Sequence, residues 1–259
     1  MPEKEAAARL RDSIKKYIRP ATFPVAVKFL RVEKAFEGKH KRPVKDMGHA
    51  ITLCQGVALS RRLGWSVVFG REDNECPVGS IVLGYSSPER FLEGHIAYPF
   101  YAKDLKTAKT MESTSRFFPM GTVKDIWLAP LDKAGFEPDL VLVYGNAAQV
   151  ARIAQGANYN NGKGIDSKTF GRTACGKYLS KAYLDKECTL VIPSGGERVF
   201  ANTTDDVLIF SIPSDHFEDV SNGIEAVHKE GLSRFPTYFY GIGVKPTFPP
   251  KYYTLFDEK

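Results

Sequence analysis

Apolar and polar positions alternate between two periods along this chain. Leu10, Ile14, Tyr17 and Ile18 recur at helical spacing within residues 3 to 18, and Pro20 stops that helix. VAVKFLRV, after Pro24, is a short apolar run of strand type with Lys28 inside it. From His49 to Leu63, the residues Ile51, Cys54, Val57, Ala58 and Leu63 share a predicted helical face, and Gly64 ends it. WSVVF reads as a strand, CPVG as a turn, and SIVLG as a further strand.

The second half repeats the theme. KDIWLAPL reads as a strand, and PDLVLVYGN is the clearest strand of all, its β-branched apolar run suiting a central position. A helix begins after Asn146, a good N-cap residue, and NNGKGIDSKTFGRTA is a polar, glycine-rich loop. A helix from Cys175 to Lys186 follows, then strand CTLVIP, a plain turn at SGGER, strand DDVLIFSIP and a helix within DHFEDVSNGIEAVHKEGLSRF. Residues 86 to 116 mix short helical pieces with aromatics and take no firm assignment.

The order implies an α/β fold, with mixed sheets and helices, over one domain spanning 1–259. It admits two similar halves, 20–120 and 121–235, followed by a Pro/Tyr-rich tail, 236–259. In that alignment Cys54 and Cys175 correspond, and Cys76 falls opposite Ser194 and Gly195. The bland alternative is that any α/β chain alternates strands and helices. The tail suits either a neighbouring subunit, giving a homo-oligomer, or the chain's own core.

At 259 residues and 43% apolar, the chain can bury a substantial core. No apolar run approaches the roughly 20 residues of a membrane span, and the N-terminus is charged rather than signal-like, so a cytoplasmic protein is expected. Net charge is +6 with the basic residues dispersed. The densest cluster, GKHKRPVK, lacks interleaved aromatics and reads as a solvated loop, which sets nucleic acid aside.

Four cysteines in a reducing compartment are thiols or metal ligands rather than disulfides. Cys54 and Cys175 open predicted helices, where free N–H groups favour a thiolate. Cys76 precedes a proline, as cysteines at iron–sulfur sites often do. None of the spacings is CxxC, so no ribbon or ferredoxin motif is present. Three readings stand: a cluster or metal held by Cys54, Cys76 and Cys175; buried structural thiols; or a catalytic thiol. Cys188, at the start of a strand, reads as core, and His49 as an exposed loop residue, with a fourth-ligand role for either as the lesser alternative. Asn146, Gln149, Glu197 and Arg198 are candidate pocket residues, against simple capping and surface charge.

PVAVKFL, LCQGVALSRRLG, ECPVGSIVLG, PDLVLVYGNAAQVARI, TACGKYL and PSGGERVFANTTDDVLIFSIP together resemble the domain-of-unknown-function family 169, also called ArCR, of archaea and anaerobic bacteria. The resemblance spans most of the chain. It implies that Cys54, Cys76 and Cys175 act together, with Cys188 outside the pattern, and Glu197 stands where relatives often carry Asp. An anaerobic setting suits an iron–sulfur cluster, 4Fe–4S ahead of zinc. Three thiolates leave one coordination position open for a small molecule, for redox or Lewis-acid chemistry with a small-molecule ligand or an electron-transfer partner. The competing class is a non-enzymatic metabolite-binding or sensor protein with buried thiols.

Overall fold

The computed structural model describes residues 3–31, 39–230 and 247–255. Its centre is a six-stranded sheet of β1 (Val25–Leu30), β2 (Val67–Gly70), β3 (Asp125–Pro130), β4 (Leu140–Asn146), β5 (Thr189–Val191) and β6 (Val207–Pro213), in the order β2-β3-β1-β4-β6-β5. Every strand pair is antiparallel. The described helices are α1 (Glu3–Ser13), α2 (Pro43–Met47), α3 (Leu53–Leu63), α4 (Pro77–Val82), α5 (Glu89–Leu92), α6 (Leu105–Glu112), α7 (Ala147–Asn158), α8 (Ala182–Asp185), α9 (Gly195–Val199), α10 (Phe217–Glu230) and α11 (Pro250–Thr254). A π-helical turn, Ile14–Ile18, extends α1, and another, Gly176–Lys181, leads into α8. No described helix is long and apolar enough to cross a membrane.

The strand period of two sorts side chains into two cores. Val25, Val27, Leu140, Leu142 and Tyr144 face one side with Leu53, Val57, Tyr178 and Leu179. Ala26, Val141, Val143, Phe210 and Ile212 face the other, under Leu10, Ile14, Val150, Ile153, Val220 and Ile224. With helices over both faces, β4 is buried along all but its last residue, which is why it reads as a continuous apolar run.

Matching β1 with β4, β2 with β5 and β3 with β6 gives two three-stranded halves of the same internal order, joined at β1–β4. This is a likeness of topology and not by itself a duplication. The first half closes with Asp125–Pro130 rather than Ser80–Gly84, because Pro77–Val82 forms α4. Pro77 takes the first helical turn, where a missing N–H costs nothing, and Cys76 is the N-cap, its sulfur accepting from Gly79 N–H at 3.3 Å. Ser194 to Arg198 is likewise not a plain turn: α9 carries Glu197 inward.

The join between the halves is short. Val25 to Val27 pair with Leu140 to Leu142. Asp139 reinforces it, accepting from Lys28 Nζ and from Phe29 N–H, both at 2.7 Å, while its own N–H donates to Val27 O. Lys28 within an apolar strand is thereby explained as the partner of a carboxylate.

Helix α3 turns Leu53, Gly56, Val57, Ser60 and Arg61 inward, so Val57 of the expected face is buried while Leu63 is 57% exposed. A Cβ at Gly56 would lie 3.4 Å from Leu128, so this glycine sets how closely α3 can approach the sheet. The basic segment is also less solvated than expected. Arg42 forms ion pairs with Asp73 at 3.1 Å and Asp125 at 2.9 Å, and Lys41 Nζ sits 3.8 Å from the Trp65 ring centroid. The tail expectation falls mostly outside the described residues.

On the opposite face, α7 and α10 cross at Gly156 and Gly223. A Cβ at Gly223 would lie 2.0 Å from Gly156 O, a backbone atom that has no room to move. Gly223→Ala is expected to destabilise the fold by about 3 kcal/mol, the upper range for overpacking. Gly164→Ala, where a Cβ meets nothing within 4 Å, should be close to neutral. Urea denaturation of the two variants beside the wild type checks this, and equal midpoints for all three would refute the close crossing.

Candidate functional site

Three elements from both halves bring thiols to one region of the first core. Cys54 lies in the first turn of α3, behind the Thr52 N-cap, whose hydroxyl accepts from Gln55 N–H at 3.2 Å in a capping box. Cys76 caps α4. Cys175 lies in helical backbone immediately before the π-helical turn Gly176–Lys181, which packs on α4: a Cβ at Gly176 would lie 3.6 Å from a Val82 methyl. Each thiol is within electrostatic reach of the other two, and Glu197 couples to Cys54 and Cys175. Among the described residues, no three His, Cys, Asp or Glu side chains are grouped so as to hold a single metal ion.

Glu197 organises the floor of this region. It is 2% exposed and accepts hydrogen bonds from Tyr178 at 2.5 Å and Tyr144 at 3.2 Å. Burial pushes its carboxyl above the usual range, against the hydrogen bonds from the tyrosines and the nearby Arg61 charge. Arg61 reaches in from α3, its guanidinium 4.2 Å from the Tyr144 ring centroid and donating to Ala201 O and Thr203 Oγ1.

The thiols do not behave as their helix-start positions predict. Burial, with the neighbouring Glu197 charge, pushes Cys54 up to about 12, and burial raises Cys175 as well. Desolvation of a thiolate outweighs the favourable helix end. Both are therefore thiols at neutral pH in the metal-free chain. Cys54 Sγ donates to Gly196 O at 3.6 Å and lies 3.1 Å from Thr52 Oγ1.

The other candidates are placed apart. Asn146 and Gln149 form the capping box of α7, and Gln149 also donates to Ile18 O and Arg19 O, tying α7 to the first helix. Arg198 turns outward to Asp205 Oδ1 at 2.6 Å, since adjacent helical residues point in different directions. Cys188 packs into the second core, across the sheet, and burial raises it to about 12. His49 is exposed, with Nδ1 3.0 Å from Met47 O. Sequence reasoning missed Arg61, Tyr144 and Tyr178. Their signal was polar tips set on otherwise buried faces, an arginine four residues after Val57 and a tyrosine ending an apolar strand run.

No solved structure matches the chain. An uncharacterized protein of Methanocaldococcus jannaschii is 24% identical over 98 residues, covering 38% of this chain and 42% of that protein, so the match spans less than half of the relative's length. The profile of domain-of-unknown-function family 169, described as uncharacterised ArCR, matches residues 13–223, which include all three thiols and Glu197. The chain belongs to that family.

Proposed function

We propose that Cys54, Cys76 and Cys175 hold an iron–sulfur cluster, 4Fe–4S ahead of zinc, with one coordination position left for a small molecule. The observation that carries this is the mutual coupling of three thiols delivered by α3, α4 and the helix begun at Cys175. Zinc at about 2.3 Å from each sulfur draws its ligands into close contact. Among the described residues no three such side chains are grouped for one ion, so α3, α4 and the turn after Cys175 would have to draw together around a bound metal or cluster. Bound, such a centre would supply electron transfer or Lewis-acid activation.

The surrounding residues have definable tasks in this reading. Gly79 N–H donates to the Cys76 sulfur, the kind of contact that tunes a cluster's potential. Glu197, whose affinity for a proton is raised by burial, and the hydroxyls of Tyr144 and Tyr178 form a hydrogen-bonded group beside the thiols. Arg61 supplies positive charge next to that group. The π-helical turn after Cys175 belongs to a class of distortion that recurs at functional sites.

A second reading has its own observation. The Cys54 thiol is satisfied within the chain by Gly196 O, as a structural thiol would be, which favours a metabolite-binding or sensor protein without a metal.

Anaerobic purification followed by iron, sulfide and zinc analysis separates the two. Iron and sulfide with broad visible absorption, lost in Cys76→Ala but kept in Cys188→Ala, is the expected result. Zinc without sulfide moves the chemistry to a Lewis acid, and metal-free material that resists anaerobic reconstitution returns the thiols to a structural role.

The metal-free chain also has a defined pH response. Because the folded Cys54 titrates at about 12, its thiolate at neutral pH is scarce, and its alkylation rate should rise about tenfold per pH unit from pH 7 past the ordinary thiol pKa of roughly 8.5. Iodoacetamide labelling followed by mass spectrometry checks this; a plateau near pH 9 would contradict it. Metal binding must then release protons, and protect Cys54.

A further inference from the structure

The stretch from Tyr98 to Lys109 leaves four large apolar side chains in water. Phe100 is 81% exposed, Tyr101 58%, and Tyr98 and Leu105 41% each. They fall within eight consecutive residues, which groups them on one stretch of surface rather than scattering them singly. Lys103, Lys106 and Lys109 are interleaved with them, all exposed, and none forms an ion pair among the described residues. The one carboxylate in the stretch, Asp104, caps α6 by accepting from Thr107 N–H at 2.7 Å. Exposed aromatics with cations around them have the anatomy of a protein interface, and the charge selects an acidic partner.

This face is backed by the supports of the third thiol. The Tyr101 ring centroid lies 5.0 Å from the Arg172 guanidinium, which lies 5.3 Å from that of Phe91. Arg172 is held there by a buried ion pair with Glu112 of α6. Phe91 meets Phe117 edge-on with centroids 5.0 Å apart, and a Cβ at Gly176 would lie 3.4 Å from Phe117. The path from Tyr101 to the backbone beside Cys175 thus runs through one guanidinium and two aromatic rings in mutual contact.

We propose that this face docks an acidic electron-carrier protein, whose carboxylates meet the three lysines while its apolar centre covers Phe100 and Tyr101. Redox encounters are small, transient and steered by charge, which a short apolar patch rimmed by unpaired lysines suits. The carrier gives up one electron and the centre held by the thiols takes it, with no group transferred. Docking rests on exposure and charge; delivery to the thiols rests on the cluster reading above.

The test is isothermal titration of the metal-free full chain with a bacterial two-cluster ferredoxin, a small acidic carrier, and with cytochrome c, a small basic one. Ferredoxin should bind at low salt and at least tenfold more weakly at high salt, and cytochrome c should not bind measurably. Phe100→Ser, and Lys103→Glu with Lys106→Glu, should each weaken ferredoxin at least tenfold. Lys15→Glu with Lys45→Glu makes the same charge change at exposed positions elsewhere and should leave binding intact. All the altered side chains are exposed, so unchanged thermal midpoints will confirm that the variants fold. Absence of ferredoxin binding overturns the proposal, as does binding that the patch variants leave intact, that the control pair weakens equally or that cytochrome c matches. A chain that sediments with phosphatidylserine vesicles and ignores ferredoxin also overturns it, and assigns the face to a lipid surface. A chain that binds ferredoxin but cannot be reconstituted with iron and sulfide keeps the docking face and refutes the electron route.

Discussion

The buried carboxyl of Glu197 is the constraint on which the candidate site depends. It joins α9 to β4 through Tyr144, to the helix begun at Cys175 through Tyr178, and lies beside Arg61 of α3. A charged carboxylate so deeply buried is costly, and the structure meets that cost by raising its affinity for a proton and surrounding it with donors. The same bonds fix where the thiols stand. Gly196, next to Glu197, holds the Cys54 sulfur, while Tyr178 lies one helical turn beyond Cys175. Truncating Glu197 would leave two buried hydroxyls unmatched and loosen the elements that carry two of the three thiols.

This arrangement only works because the two half-sheets are held in register. Cys54 and Cys76 belong to the half containing β1, Cys175 and Glu197 to the half containing β4. Between them run three residue pairs and the Asp139 contacts to Lys28 and Phe29. Strand pairing fixes both position and face, since a one-residue slip would invert every side chain. Leu140, Leu142 and Tyr144 therefore point toward the thiol side while Val141 and Val143 point away. Asp139 acts at the start of β4, where it pins that register against the neighbouring strand.

Much of the fold was legible from periodicity. β4 and β6 announced themselves as apolar runs, and Asn146, Gly64 and Pro20 marked helix ends through local backbone chemistry. What failed was also local. Ser80 to Leu83 is apolar and partly β-branched, as a strand would be, yet Pro77 and the capping sulfur of Cys76 start a helix there. Short apolar runs carry no period long enough to separate the two states. The thiols and Glu197 could be named from sequence because their types are chemically unusual. Their environment could not, since burial of Cys54 and Cys175 depends on packing between distant segments. For the same reason nothing in the sequence separates Arg61 from Arg62, although only Arg62 is exposed.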